Sequence, residues 1–154
     1  MIELLLKSPS ATRKLGRKLG EELAEGDFIA LIGELGAGKT LMVKAIAEGA
    51  GIPEAASSPT FALVNLYRGG RVALQHLDLY RLSGPAELFA LGFDDLLSEP
   101  NTATVCEWAD KAAGALPADR LEIALEHAGP NSRQARLTAT GPGGTRLLKA
   151  ATSP

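Results

Sequence analysis

The feature that most constrains this chain is one glycine-rich segment, Gly33-Glu34-Leu35-Gly36-Ala37-Gly38-Lys39-Thr40. It matches the pattern G-x-x-x-x-G-K-[ST] at every required position, and it lies between the apolar run 28–32 and the helix-like stretch 41–49. A strand, a glycine loop and a helix in this order place a ring of backbone N–H groups at a helix N-terminus, where an anion binds. The segment therefore predicts an α/β fold built around a phosphate-binding loop.

Each residue type in this loop predicts a chemical role. Lys39 is expected to reach the β- and γ-phosphates of a nucleotide, and the Thr40 hydroxyl to bind Mg²⁺. The chain lacks the Asn-Lys-x-Asp string typical of guanine-binding proteins, which favours adenine, so the expected ligands are ATP and Mg²⁺. The predicted nucleotide-contacting residues of the loop are Glu34, Leu35, Gly36, Ala37, Gly38, Lys39, Thr40 and Leu41.

Strand-like and helix-like segments alternate along the rest of the chain. The run 28–32 is continuously apolar, as expected for a central strand covered on both faces. Two strand-like runs, 61–67 and 72–79, are separated by Arg68-Gly69-Gly70 and predict an antiparallel hairpin. Further strands are predicted at 2–6, 102–108, 120–126 and 134–140, and helices at 10–23, 85–91 and 109–115.

This order predicts a P-loop NTPase-like, three-layer α/β sandwich with a mixed sheet flanked by helices. A length of 154 residues is typical of a single domain, here residues 1–154. The segment 141–154 is rich in Gly, Ala, Thr and Pro, and we expect it to form a loose C-terminal tail.

Composition places limits on location and partners. A formal net charge of −2 argues against a strong, sequence-independent grip on nucleic acid. The single cysteine, Cys106, excludes an internal disulfide and fits a reducing compartment. Residues 1–7 lack a basic leader, and no apolar run has the length needed to cross a bilayer. We therefore expect a cytoplasmic protein without membrane association; self-association is left open.

Two acidic residues occupy places suited to a second Mg²⁺ ligand. Glu107 ends a β-like run, and Asp78 lies near the end of another. Hydrolysis of a nucleoside triphosphate needs an acidic metal anchor at the end of a neighbouring strand and a group that positions water. Both residues also fit ordinary surface carboxylates at strand ends, and their spacing does not decide which one binds the metal.

Two further segments have both a functional and a structural interpretation. The hydroxyl of Thr60, in Ser57-Ser58-Pro59-Thr60-Phe61, is suited to sensing a γ-phosphate, although this composition is also that of a simple turn. Trp108 is the one tryptophan of the sequence; in a regular strand it would face away from Glu107. Core packing and stacking near a nucleotide are both open for it.

The two histidines, His76 and His127, lie far apart in the sequence and lack metal-ligand spacing, which argues against a zinc site.

Taken together, these motifs resemble the TsaE (YjeE) family of bacterial ATPases, which serve threonylcarbamoyladenosine modification of tRNA. The glycine loop alone is shared by very many proteins, whereas the ordered set is specific. Its members are the loop 33–40, Ser58-Pro59-Thr60-Phe61, His76-Leu77-Asp78-Leu79-Tyr80-Arg81-Leu82, Glu87-Leu88 to Leu91-Gly92, and Glu107-Trp108 with Ala109-Asp110.

The resemblance implies an ATPase that works with two partner proteins, TsaB and TsaD, and that meets tRNA indirectly through their complex. It implies that Thr40 and Glu107 hold Mg²⁺ and that Lys39, Asp78 and Thr60 serve hydrolysis. It also implies that three more residues lie near the nucleotide, namely Thr12, Trp108 and Arg133. The Arg133 assignment is less specific, because the preceding Gly129-Pro130-Asn131-Ser132 departs from the family's usual turn.

Two other functions use the same loop. A small-molecule kinase would need an acceptor pocket and a mobile segment with arginines over the transferred phosphate; Arg68, Arg71 and Arg81 are candidates, without a clear arginine-rich lid. A non-hydrolysing nucleotide switch or adaptor would bind the nucleotide only to control assembly.

Overall fold

The computed structural model describes residues 1–53 and 63–154, and these residues form a seven-stranded sheet with helices on both faces. The strands are β1 (Ile2–Leu6), β2 (Phe28–Gly33), β3 (Val64–Tyr67), β4 (Ala73–Asp78), β5 (Thr102–Glu107), β6 (Arg120–His127) and β7 (Arg133–Thr140). The helices are α1 (Pro9–Glu22), α2 (Lys39–Gly49), α3 (Pro85–Ala90), α4 (Phe93–Leu97) and α5 (Gly141–Thr152), with a 3₁₀ turn at Ala109–Ala112.

The sheet has a parallel centre and antiparallel flanks. Its strand order is β1-β7-β6-β2-β5-β4-β3. Strand β2 runs parallel to β5 and β6, and β5 runs parallel to β4, whereas β3, β7 and β1 each pair antiparallel with a neighbour. The carboxyl ends of β2, β4 and β5 therefore meet at one edge of the sheet, which we call the carboxyl edge. The opposite edge, where β2 and β5 begin, is the amino edge.

Each face of the sheet buries its own apolar cluster. One cluster packs helices α1, α2 and α5 on the sheet through residues such as Leu19, Ile46 and Leu147. The other packs α3, α4 and the 3₁₀ turn through residues such as Leu88 and Phe93. The predicted three-layer sandwich with a mixed sheet is confirmed, as are the hairpin β3–β4, within the described residues, and the central position of β2.

The expected loose tail is wrong for most of its length, because residues 141–152 form helix α5. The Asp119 carboxylate accepts hydrogen bonds from the backbone N–H groups of Gly143 and Gly144, at 3.1 and 2.9 Å, and so caps the helix. Leu147 is buried against the sheet. A side chain at Gly144 would collide with the Arg120 carbonyl, so the glycine serves close packing here.

Helices α1 and α2 pack tightly side by side and point the same way. Gly16 lies against Ala45, and Gly20 lies against Ile46 and the end of α2, with no room for a Cβ at either glycine. None of the helices within the described parts of the chain is long and apolar enough to span a membrane.

Candidate functional site

A cleft of about 380 Å³ opens at the carboxyl edge, above the N-terminus of α2. Most of the predicted site residues that the structure describes meet here. The cleft is lined by Leu35, Gly36, Gly38, Lys39, Thr40, Leu41, Asp78, Tyr80, Glu107 and Trp108. Residues 54–62 lie outside the described residues, so the predicted role of Thr60 and its loop stays a prediction.

The glycine loop forms an open cradle. Gly36 and Gly38 have φ values of 79° and 105°, which side-chain-bearing residues rarely adopt, and a Cβ at either position would meet no atom within 4 Å. Gly38 is the N-cap of α2 and has no side chain to occupy the first N–H groups of that helix. The helix dipole therefore acts at the floor of an open space, an arrangement that stabilises an anion.

The Lys39 ammonium lies inside this cleft, although the residue is 4% exposed. It donates hydrogen bonds to the carbonyl oxygens of Gly33 and Glu34, the second at 2.9 Å. Burial lowers the pKa of Lys39, and the nearby carboxylates of Glu107, Asp78, Asp110 and Glu34 oppose this shift. A desolvated ammonium at the floor of a cleft is well placed to bind an incoming anion, although the carboxylates around it oppose that attraction.

Glu107 is the deepest carboxylate of the cleft, at 3% exposure. Its Oε1 accepts a hydrogen bond of 3.2 Å from the Thr40 hydroxyl, across 67 positions of sequence. Hydroxyl and carboxylate oxygens are the ligands that a hard divalent cation prefers. Within residues 1–53 and 63–154, no group of three or more His, Cys, Asp or Glu side chains could hold a metal. A cation between Thr40 and Glu107 would therefore depend on further oxygens of a bound ligand.

Asp78 lies beside Glu107, because the two are paired in the parallel register of β4 and β5. Its Oδ1 accepts a 3.0 Å hydrogen bond from the Tyr80 backbone N–H. Burial raises the pKa of Asp78, the Glu107 charge raises it further, and the Tyr80 N–H, His76 and Lys39 oppose the rise. Asp78 thus has a carboxylate that is more basic than usual and faces the loop.

Trp108 leaves the strand instead of continuing it; its side chain packs against the apolar cluster on the face opposite Glu107 and also borders the cleft. Its backbone is left-handed, with φ 56° and ψ 38°, and β5 ends one residue earlier. The indole ring lies under the Lys39 ammonium, 4.1 Å from Nζ to the ring centroid, and 5.0 Å from the ring of Tyr80. Such backbone conformations cost energy in non-glycine residues and concentrate at functional sites. Trp108 also borders a second cleft of about 470 Å³ with Glu34 and the end of β6.

Arg133 stabilises the glycine loop through hydrogen bonds to its backbone carbonyl groups. Its guanidinium donates to the carbonyl oxygens of Gly36 and Ala37, both at 3.2 Å, and to Ser132 at 2.8 Å. It does not line the cleft at the carboxyl edge. Thr12 is buried on α1. Arg133 contacts the loop directly, and the contact of either residue with a nucleotide stays a prediction.

Sequence reasoning missed a buried pair beneath the cleft. The His76 Nε2 lies 2.5 Å from Glu107 Oε2, and the Tyr67 hydroxyl lies 3.2 Å from His76 Nδ1. The signal was present in the sequence: His76 precedes Asp78 by two positions, so in a strand both face the same side. Tyr80 also lines the cleft and was not predicted as a site residue.

Comparisons with known proteins show which family this chain resembles. The family model described as "Threonylcarbamoyl adenosine biosynthesis protein TsaE" matches residues 6–135. The chain is 36% identical over 134 residues to the tRNA threonylcarbamoyladenosine biosynthesis protein TsaE of Bacillus subtilis, covering 87% of this chain and 83% of that protein. It is 39% identical over 136 residues to the protein of that name from Streptomyces coelicolor, covering 85% and 90%. The crystal structure of Bacillus subtilis YdiB superposes with a TM-score of 0.81 at 29% identity, covering 98% of this chain and 93% of that one.

Proposed function

The chain belongs to the TsaE family of tRNA threonylcarbamoyladenosine biosynthesis proteins, and from this premise we propose that it binds ATP with Mg²⁺ at the carboxyl edge and hydrolyses it. The single observation that carries the proposal is the cleft itself. There an open glycine cradle, a buried ammonium and a hydroxyl–carboxylate pair converge around Lys39, Thr40 and Glu107.

The residues present fit a magnesium–nucleotide complex. The backbone at Gly36 and Gly38 borders open space, which a side chain at either position would partly fill. Phosphate oxygens need this space to approach the backbone N–H groups of the loop. The Lys39 ammonium, which contacts the Glu34 carbonyl oxygen, would turn toward the phosphates of a bound nucleotide. Thr40 and Glu107 would supply two oxygen ligands for Mg²⁺, which would neutralise phosphate charge.

Asp78 is the best placed described residue for positioning the attacking water. It projects from the end of β4 beside Glu107, and its raised pKa strengthens it as a hydrogen-bond acceptor. Thr60, outside the described residues, is the second candidate for this role. Trp108, between Lys39 and Tyr80, limits the access of solvent to the phosphate side of the cleft.

Turnover is expected to depend on partners. The cleft is open, and no described residue forms a lid over it. We propose that TsaB and TsaD complete the site in the cytoplasm, and that tRNA is met through their complex. The kinase alternative is less well supported, because Arg71 is engaged with the carbonyl oxygens of Gly20, Glu21 and Leu23 at the end of α1. Arg68 lines a groove at the amino edge, away from the cleft.

The test is phosphate release from ATP by the full chain, alone and with TsaB and TsaD, in parallel with Lys39→Ala. We expect slow turnover alone, faster turnover with both partners, and none above background for the variant. Binding without turnover in every mixture would favour the switch, and transfer to an added acceptor would favour a kinase. Absence of nucleotide binding would contradict the proposal entirely.

A further inference from the structure

A hydrogen-bonded chain runs from the edge strand β3, through a fully buried histidine on β4, to the cleft. It begins at the Tyr67 hydroxyl, passes through both ring nitrogens of His76, and reaches Glu107, whose other carboxylate oxygen meets Thr40. His76 is 0% exposed. Strand pairing fixes its place, because His76 on β4 lies opposite Val105 on β5, two positions before Glu107.

The direction of these hydrogen bonds follows from the chemistry of the groups. An ionised carboxylate only accepts hydrogen bonds, so His76 Nε2 must carry the proton that points at Glu107. In a neutral imidazole, Nδ1 is then an acceptor, and the Tyr67 hydroxyl is the group in place to donate to it. The tilted Tyr67 and His76 rings, 5.9 Å apart, also restrict each other's rotation. With Glu107 ionised and the imidazole neutral, these contacts select one tautomer and one orientation of the ring.

Glu107 would be costly to bury without such a partner. Its carboxylate is almost fully shielded from water, and a buried charge must be compensated by hydrogen bonds or an ion pair. With Oε2 held by His76, the remaining oxygen, Oε1, faces Thr40 and the cleft. Fixing one carboxylate oxygen presents the other in a constant direction, which lowers the cost of ordering a metal ligand.

We propose that His76, oriented by Tyr67, is a positioning residue that aims the Glu107 carboxylate at a divalent cation bound with the nucleotide. This inference rests on the proposed function, since it assigns the metal to Thr40 and Glu107. It goes beyond that proposal by giving the motif histidine a role that does not require contact with metal or nucleotide.

The experiment measures Mn²⁺ binding to the full chain in the presence of ADP by electron paramagnetic resonance, together with ADP affinity in EDTA. In His76→Ala, we expect the Mn²⁺ affinity to fall about tenfold to a hundredfold, with metal-free ADP affinity unchanged. His76→Gln, whose side-chain amide also presents an N–H to Glu107, is expected to recover most of the lost affinity. Tyr67→Phe is expected to show a smaller loss than His76→Ala.

Cys106→Ala is the matched control. Cys106 is fully buried beside Glu107 on β5, on the opposite face of the sheet, so its truncation removes a thiol contact with the Glu107 backbone carbonyl but none of the side-chain hydrogen bonds of the chain. Wild-type Mn²⁺ affinity in His76→Ala, or the same loss in Cys106→Ala, would overturn the proposal. If His76→Ala does not fold, Tyr67→Phe decides: unchanged Mn²⁺ affinity in it would overturn the proposal. Absence of ADP binding to the wild-type chain would contradict the proposed function instead.

Discussion

Two buried carboxylates, Asp27 and Glu107, lie at opposite edges of the same sheet and illustrate two uses of burial. Glu107 ends β5 at the carboxyl edge, and Asp27 immediately precedes β2 at the amino edge. They are similarly shielded, at 3% and 7% exposure. Their partners differ in kind. Glu107 contacts a histidine and the Thr40 hydroxyl at an open cleft, whereas Asp27 contacts the Ala24 backbone N–H at 2.8 Å and the Arg146 guanidinium.

The hydrogen-bond partners of Asp27 belong to the scaffold, whereas those of Glu107 belong to the candidate site. Ala24 lies just after α1, and Arg146 belongs to α5, so Asp27 fastens two helices to the start of the central strand. A carboxylate whose partners are a backbone group and a guanidinium within the fold has its hydrogen bonds satisfied there. Glu107 faces groups that also border empty space. The comparison teaches that burial of a carboxylate identifies a functional position only when its partners open onto a cleft.

The largest expected effect comes from Lys39→Ala at the carboxyl edge. Removing the ammonium deletes a charged hydrogen bond to phosphate, worth about 1.5–3 kcal/mol, so ATP affinity is expected to fall about ten- to a hundredfold. The unfolding free energy is expected to change by less than about 1 kcal/mol, because burial already penalises this charge. Calorimetric titration with ATP and denaturant unfolding measure the two quantities. A large loss of stability with unchanged ATP affinity would contradict the assignment of Lys39 to the binding site.

Asp27→Ala is expected to give the opposite pattern. It leaves the Ala24 N–H without its acceptor and removes the partner of Arg146, which should lower the unfolding free energy by about 1–3 kcal/mol. ATP affinity should stay at the wild-type value, because Asp27 lies at the amino edge. Urea unfolding and the same titration test this. Loss of ATP affinity in a folded Asp27→Ala protein would break the distinction between the two edges.

Asp119→Ala tests a second carboxylate at the amino edge, for which the expected loss of stability is smaller. The Asp119 carboxylate caps α5 through two backbone N–H groups, and loss of such a cap costs about 0.5–2 kcal/mol. Urea unfolding should show this decrease with no change in ATP affinity. If stability is unchanged, the helical order of the C-terminal segment does not depend on this cap.

The smallest effect concerns pH. Burial raises the pKa of Asp27 above its ordinary value of 3.8, and the Ala24 N–H and Arg146 only partly oppose the rise. The folded state therefore binds this proton more tightly than the unfolded chain. Its stabilising contribution is complete below the unfolded-state pKa and is lost as pH rises through the folded-state pKa.

Asp27→Asn isolates this contribution, because the amide oxygen can still accept from the Ala24 N–H. The wild-type unfolding free energy minus that of Asp27→Asn is expected to fall as pH rises from about 4 toward neutrality. Urea titrations at several pH values measure the difference. A difference that rises with pH would show that Arg146 outweighs burial.

The sequence was sufficient to predict the parts of the fold that local patterns encode. The apolar run of β2, the glycine loop and the Gly-Gly hairpin each carry their own signal, because burial on both faces or a special backbone conformation restricts the residues allowed there. Helix α5 was missed, since its Gly-Pro-Gly-Gly start reads as a loop and its cap, Asp119, lies outside the helix in sequence.

Long-range contacts account for what was missed in the site. The sequence places Glu107 and Asp78 at strand ends but does not give their register, which the parallel pairing of β4 with β5 supplies. The partner of His76 lies 31 positions away. The left-handed turn at Trp108 brings its ring against Lys39 and Tyr80, and a pattern of alternating residues cannot predict it.

The most direct test of the account is calorimetric titration of ATP with and without Mg²⁺, comparing Glu107→Gln with Asp27→Asn. We expect Mg²⁺ to increase ATP affinity in the wild-type chain and in Asp27→Asn, and to have no effect in Glu107→Gln, whose metal-free affinity stays near that of the wild type. Equal Mg²⁺ dependence in both variants would contradict the assignment of the metal to the carboxyl edge.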